Sequence, residues 1–134
     1  MDELVWNVDP NADAPPSKQL VLRVLDALAS DRLAAGAQLP SVRQLAARAL
    51  VNPNTAARAY RDLEQLGVVR GANGLGVFAT EAGPRLARDL RRRSTLDAFR
   101  GAASEALRAG HAPSELVTEL SKLASNAKRP RKSA

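Results

Sequence analysis

The sequence predicts a mainly α-helical fold carrying one small β-hairpin. Three observations lead there. Apolar residues recur at helical spacing through most of the chain, and two helix-start signatures stand close together at Ser41 and Asn52. Between two short runs of strand-forming residues lies GANGLG, a stretch suited to a tight turn.

Taken in order, residues 4–8 (LVWNV) read as a short strand or an apolar clasp, and DPNADAPPS as a turn-rich linker whose prolines disfavour helix. From Ser17 to Ala35 the positions Leu20, Val21, Val24, Leu25, Leu28 and Leu33 predict a helix, with Gly36 closing it. A second helix begins at Ser41, where SVRQ has the form of a capping box; Val42, Leu45, Ala46 and Ala49 give it a narrow apolar face. Asn52 as N-cap and Pro53 at the first helical position announce a third helix. Its inner stripe is Ala56, Ala59, Tyr60, Leu63 and Leu66, and Gly67 ends it. Strands are expected at Val68–Arg70 and Gly76–Ala79, around a turn in which Gly71, Asn73, Gly74 and Gly76 offer positive φ. After Gly83-Pro84 a long helix carries Leu86, Leu90, Leu96, Phe99, Ala103 and Leu107, and Gly110 to Pro113 break it. A last helix shows Leu116, Val117, Leu120, Leu123 and Ala124 on one face, and NAKRPRKSA reads as a basic, mobile tail.

Composition limits the function classes. A chain of 134 residues favours one domain with a short appendage. The formal charge is +6, and it is unevenly spread. Residues 1–17 carry four acidic and no basic groups, 18–80 eight basic and four acidic, and 81–134 twelve basic and six acidic. A basic body of this kind favours a polyanionic partner, because each Lys or Arg beside a phosphate releases condensed counterions. The four aromatic residues Trp6, Tyr60, Phe78 and Phe99 are too scattered to form a stacking platform for single-stranded nucleic acid. With no cysteine there is no disulfide, thiolate metal site or Cys nucleophile. The acidic start lacks the apolar run of a secretory signal, and no stretch has the length of a membrane span. The expectation is a cytoplasmic protein.

Helix, short helix, tight turn, helix and glycine-rich hairpin is the order of a winged helix-turn-helix, with only Leu50-Val51-Asn52 between the second and third helices. A helix opening with short polar residues can enter the major groove of DNA and present side chains to base edges. Asn52, Asn54, Thr55, Arg58 and Arg61 lie at the start or outer face of that helix, and the hairpin would cover an adjacent groove.

The stretch LPSVRQLAARALVNPNTAARAYRDLEQLGVVRGANGLGVFA resembles the DNA-binding domain of the GntR family of bacterial repressors. That family's pattern runs G-x-x-L-P-S-x-R-x-L-A, V-N-x-N-T-x-x-x-A-Y-x-x-L-E-x-x-G and a wing ending G-x-G-x-F. Here it is carried by Gly36, Leu39, Pro40, Ser41, Arg43, Leu45 and Ala46, then Val51, Asn52, Asn54, Thr55, Ala59, Tyr60, Leu63, Glu64 and Gly67, and finally Gly74, Gly76 and Phe78. One departure is Ser17, which stands where the family often has Tyr between Pro15 and Gln19. The resemblance implies DNA contacts from Ser41 and Arg43 on the second helix, Asn52, Asn54, Thr55 and Arg58 on the third, and Gly74 in the wing. The chemistry agrees: Arg43 and Arg58 can form bidentate contacts to guanine or phosphate, and Asn54 can read adenine or bind phosphate.

Only 54 residues follow Thr80, enough for two helices and a tail. That resembles the short YtrA-like subfamily, whose two-helix segment dimerises. Leu86, Leu90, Leu96, Phe99, Leu107, Leu116, Leu120 and Leu123 form more apolar surface than so small a segment covers by itself, and a second copy would cover it. The expected organisation is an N-terminal arm (1–14), the winged domain (15–80), a helical dimerisation segment (81–125) and a basic tail (126–134).

The functional expectation is a homodimeric, sequence-specific repressor on a palindromic operator in double-stranded DNA. Rival readings are a non-specific architectural (nucleoid-type) DNA-binding protein and the detached N-terminal part of a larger, enzyme-fused regulator. The leucine-rich helices after Thr80 argue against the latter, because a linker there would be polar. Any small-molecule effector would have to bind at the dimer interface or the helix–domain junction. A free-standing enzyme finds no support, for no paired carboxylates, nucleophile–base set or cofactor loop is legible. His111, the single histidine, is read as structural or solvent-exposed, with no metal or cofactor implied. Arg91-Arg92-Arg93 reads first as a solvated helix face.

Overall fold

The computed structural model describes residues 4–72 and 74–127. Asn73 of the expected hairpin turn, and the tail from Lys128 onward, lie outside the described residues. The chain divides into two units, Met1–Arg93 and Ser94–Ala134.

The first unit is built on α1 (Pro16–Ala29), α2 (Val42–Ala49) and α3 (Pro53–Gln65), with a three-stranded antiparallel sheet at its side. The strands are β1 (Gln38–Leu39), β2 (Val69–Ala72) and β3 (Gly76–Ala79), in the spatial order β1-β3-β2. Arg70 faces Phe78 and Gly71 faces Val77 across the hairpin; Gln38 and Leu39 add to the other side of Phe78 and Val77.

The core follows from the apolar periodicity of the three helices. Leu20, Val24 and Leu28 of α1 are fully buried, with Leu45 of α2 and Leu63 of α3. Each such side chain contributes about 1.5–3 kcal/mol through burial. Ala56 and Ala59 on α3 are equally buried, and their small side chains let α1 and α2 pack close to the helix between them.

The N-terminal segment is a clasp and not a strand. Trp6 is buried to 5% exposure in this core. The linker is pinned by Gln19, whose Nε2 donates to the carbonyls of Asp9 (2.9 Å) and Ala14 (2.8 Å) and whose Oε1 accepts from the Asp9 N–H (2.8 Å). Arg23 adds a bond from Nη2 to the Asn7 carbonyl at 3.1 Å.

Helix α1 stops earlier than its apolar spacing predicts. It ends at Ala29, where the Ser30 N–H and Oγ both bond the Asp26 carbonyl and Asp31 turns left-handed (φ 60). Leu33 is buried at 4% exposure, but from the turn that follows, held by its N–H to the Ala27 carbonyl. Its spacing recorded burial and not helix. Gly36 therefore does not close α1. At φ 79 it leads into β1, its N–H donating to the Ala79 carbonyl at 3.0 Å.

The other boundaries lie close to the sequence reading. Ser41 and Gln44 form the full capping box of α2, and Asn52 caps α3 with Pro53 behind it. Strand β2 begins one residue later than expected, because the Val68 N–H is bonded to the Leu63 carbonyl at the end of α3, and it runs to Ala72, two residues beyond the expected Arg70. After β3, the Thr80 hydroxyl donates to the Gly67 carbonyl at 2.7 Å and sets the turn into α4 (Gly83–Arg108). Gly83 starts that helix so close to the sheet that a Cβ would stand 2.8 Å from the Val68 carbonyl oxygen.

The first turns of α4 belong to the first unit. Ala87 is buried there, and Leu86 and Leu90 pack against the same core. Ion pairs from Arg88 to Asp31 (3.4 Å) and from Arg91 to Asp26 (2.9 Å) tie the helix to α1 and the turn after it.

In the second unit, the remainder of α4 is followed by a turn at Gly110 (φ 101) and by α5 (Pro113–Ala127), which runs two residues into the expected tail. His111 is exposed, with Nδ1 against Glu115 Oε1 at 2.5 Å. Phe99, Ala102, Ala103 and Ala106 on α4, with Leu116, Val117, Leu120 and Leu123 on α5, line an open apolar groove of about 310 Å³. Among the described residues no helix is long and apolar enough to cross a membrane.

Candidate nucleic-acid interface

Helix α3 has two chemically different sides. Ala56, Ala59, Tyr60 and Leu63 are buried, while Asn52, Asn54, Arg58 and Arg61 are exposed. Thr55 is half-buried at the border, its N–H bonded to the Asn52 carbonyl at 2.9 Å. At the start of α2, Ser41 and Arg43 are exposed, and Gly74 is exposed at the hairpin tip.

The caps leave hydrogen-bonding capacity facing outward. Ser41 Oγ accepts from the Gln44 N–H at 3.1 Å, which leaves its own hydroxyl proton free to donate. Asn52 Oδ1 accepts from the Asn54 N–H at 2.8 Å, so the Asn52 amide NH₂ is turned to donation. Two helix N-termini, donor groups and guanidinium side chains form a surface chemically suited to phosphate oxygens and to the acceptor edges of bases.

Tyr60 fixes one helix against the other. It is buried at 6% exposure, and its hydroxyl donates to the Pro40 carbonyl at 2.5 Å. The bond joins the middle of α3 to the residue just before the α2 cap. Burial pushes the Tyr60 phenol well above the ordinary tyrosine range, against a smaller opposing effect of the Arg48 guanidinium. The sequence placed Tyr60 on the inner stripe of the third helix; its partner, twenty residues earlier in the chain, carried no local signal.

Two contacts organise the hairpin. Arg70 lies over the Phe78 ring, 5.6 Å from its centroid. Gln38 reaches from β1 to the tip, where Nε2 donates to the Leu75 carbonyl at 3.1 Å. The same Nε2 stands 2.8 Å from where a Cβ on Gly76 would lie, and at φ 113 the backbone there favours glycine. Gln38 was missed in the sequence, since a two-residue strand has no readable alternation. Glu64 Oε1 also accepts from the Gly71 N–H at 3.4 Å, joining α3 to β2.

Of the eight leucine and phenylalanine positions assigned to dimerisation, the structure separates two from six. Leu86 and Leu90 lie against the core of the first unit. Leu96, Phe99, Leu107, Leu120 and Leu123 are exposed in the second unit, Leu123 at 64%, and Leu116 is half-buried beside them.

Three helices, a short connection between the second and third, and a three-stranded sheet ending in a braced hairpin define a winged helix-turn-helix domain. Residues 16–78 match the family model of the bacterial regulatory proteins, gntR family. This domain belongs to that family. The chain is 32% identical over 74 residues to the HTH-type transcriptional repressor YtrA of Bacillus subtilis, a match covering 55% of this chain and 57% of the relative. It is 39% identical over 77 residues to the HTH-type transcriptional regulator Rv1152 of Mycobacterium tuberculosis, covering 58% and 64%. The chain thus matches about three-fifths of the length of these relatives. The crystal structure of a transcriptional regulator from Oenococcus oeni superposes with a TM-score of 0.74 at 29% identity, over 87% of this chain and 96% of that one.

Proposed function

We infer that the chain is a sequence-specific DNA-binding transcriptional regulator, a repressor that binds a palindromic operator as a homodimer. The observation that carries this reading is the exposed face made by Ser41, Arg43, Asn52, Asn54 and Arg58, with Thr55 at its border. In this reading α3 enters the major groove, the α2 start grips the flanking phosphates, and Gly74 lets the wing approach the neighbouring groove closely. The names of the relatives, a repressor and a regulator, support the same function.

Dimerisation rests on the second unit. Phe99, Leu116, Leu120 and Leu123 line an open groove, Leu96 and Leu107 are exposed on the same stretch of α4, and a second copy would remove that apolar surface from water. A two-fold dimer presents two copies of α3, which matches a palindromic site. The operator is read from cytoplasmic DNA, and the reading requires no cofactor.

The test is a gel-shift titration of the full chain against its own upstream DNA and a scrambled duplex at near-physiological salt. Specific recognition predicts a preference of about a thousandfold or more for one duplex, or for sites recovered by random-sequence selection. Equal binding to every duplex, with a steep salt dependence, would make the protein an architectural one instead. Absence of binding to any duplex refutes both.

A further inference from the structure

We propose that Leu75, at the tip of the wing, is a specificity-determining contact that favours A·T over G·C pairs in the minor groove beneath it. The proposal rests on the DNA-binding reading above and adds to it a residue, a groove and a base-pair preference.

Leu75 is 70% exposed between Gly74 (φ 75) and Gly76 (φ 113). An exposed leucine on a free loop would mean little, but this tip is held. Gln38 Nε2 bonds the Leu75 carbonyl and fills the space beside Gly76, while the Leu75 N–H donates to the Ala72 carbonyl at 2.9 Å. Both backbone polar groups of the leucine are thus bonded, and its isobutyl group stands exposed. Bonding of this kind removes part of the ordering cost of binding.

The tip is also coupled to α3. Val69 and Val68 sit in the same core as Leu63, and the Gly71 N–H is bonded to Glu64. Once α3 occupies a major groove, the hairpin moves with it toward the adjacent minor groove. From Arg70 to Phe78 the chain carries no acidic residue, so nothing on the hairpin repels the phosphates on either side.

The minor groove there is about 6 Å wide, enough for one apolar side chain between the sugar walls. Its floor carries only acceptors at A·T pairs, whereas each G·C pair adds the guanine N2 amine, which projects into the groove. Leucine offers that amine no acceptor and collides with it, so it seats more deeply over A·T.

Random-sequence selection with the full chain, followed by minor-groove footprinting, locates the pairs beneath the wing; these should be enriched in A·T. Wild-type affinity is then measured on the selected site and on versions with A·T replaced by G·C or by inosine·C at those pairs. Inosine·C keeps the major-groove face of G·C but lacks the N2 amine. Wild type should lose about tenfold on G·C, the scale of one mismatched pair, and recover most of it on inosine·C. Leu75→Ala, with an unchanged melting temperature, should bind the selected site several-fold more weakly and distinguish the three duplexes by no more than about twofold. Retained discrimination by Leu75→Ala, inosine·C behaving as G·C, or selection of G·C beneath the wing each overturns the proposal and leaves operator recognition intact. Loss of all duplex binding by wild type overturns the parent reading as well.

Discussion

Raising the pH past about 10 should begin to unfold this protein through one residue, Tyr60. The chain has a single tyrosine, so its near-ultraviolet tyrosinate absorbance reports on that side chain alone. Burial raises the Tyr60 phenol above its ordinary value in the folded state, and its proton is held on the Pro40 carbonyl. In the unfolded chain the phenol titrates near pH 10. Below that value both states keep the proton and stability is unaffected. Above it the unfolded state binds fewer protons than the native one, so stability falls with pH, by about 1.4 kcal/mol for each unit until the folded group also ionises. At one unit above the unfolded value the melting temperature should therefore drop by roughly 5–10 °C. The assay is a thermal melt by circular dichroism across the alkaline range, with tyrosinate absorbance read in parallel. Tyr60→Phe should abolish this slope and cost about 0.5–1.5 kcal/mol at neutral pH, because the half-buried Pro40 carbonyl loses its donor. Ionisation of Tyr60 with an ordinary midpoint in a still-native protein would refute the reasoning.

Three further perturbations separate the parts of the molecule. Arg43→Ala should weaken operator binding by roughly 1–3 kcal/mol without altering the oligomeric state, as read by gel shift and analytical ultracentrifugation; normal binding would reject the assigned contact face. Leu120→Glu should yield monomers, since a charge would be buried on the apolar face of the second unit; an intact dimer in sedimentation places the interface elsewhere. Gly83→Ala should destabilise the first unit by about 1–3 kcal/mol in chemical denaturation, because its Cβ meets the Val68 carbonyl oxygen and backbone cannot swing aside like a side chain.

What the sequence made legible was whatever is written locally. The Ser41 capping box, the Asn52–Pro53 start and the stripe Ala56, Ala59, Tyr60 and Leu63 are short-range patterns, and each is in place; Leu66, expected on the same stripe, is the exposed C-cap instead. What escaped depends on distant partners. Strand β1 has two residues and exists because Phe78 and Val77 come alongside Gln38 and Leu39. The stop of α1 was misread because Leu33 is buried from a turn, and periodicity reports burial without saying which backbone supplies it. In the same way, Leu86 and Leu90 looked like the other leucines of α4, although the core of the first unit already takes them up. That Ser41, Arg43, Asn52, Asn54 and Arg58 are exposed was readable residue by residue; the Tyr60–Pro40 bond between α3 and the start of α2 and the Gln38 brace on the hairpin were not.

Asn52 poses the sharpest separation of fold from function, because in the proposed reading one side chain serves both. Its Oδ1 caps α3 through the Asn54 N–H, and its amide donors would serve the DNA contact. Replacement by alanine would remove both roles together and cost about 1 kcal/mol of stability, so weakened binding could be ascribed to a frayed helix. Asn52→Asp divides them. A carboxylate accepts the same cap bond and interacts favourably with the positive helix N-terminus, so stability should hold or rise by about 0.3–1 kcal/mol. The same carboxylate has no proton to donate and would face phosphate with a negative charge, so operator affinity should fall by at least about tenfold. Reducing the salt concentration should widen that deficit, since the repulsion is then less screened. A more stable protein that binds poorly assigns Asn52 to the DNA contact as well as the cap. Unchanged affinity would leave Asn52 as a cap alone and shift recognition toward Asn54 and Arg58.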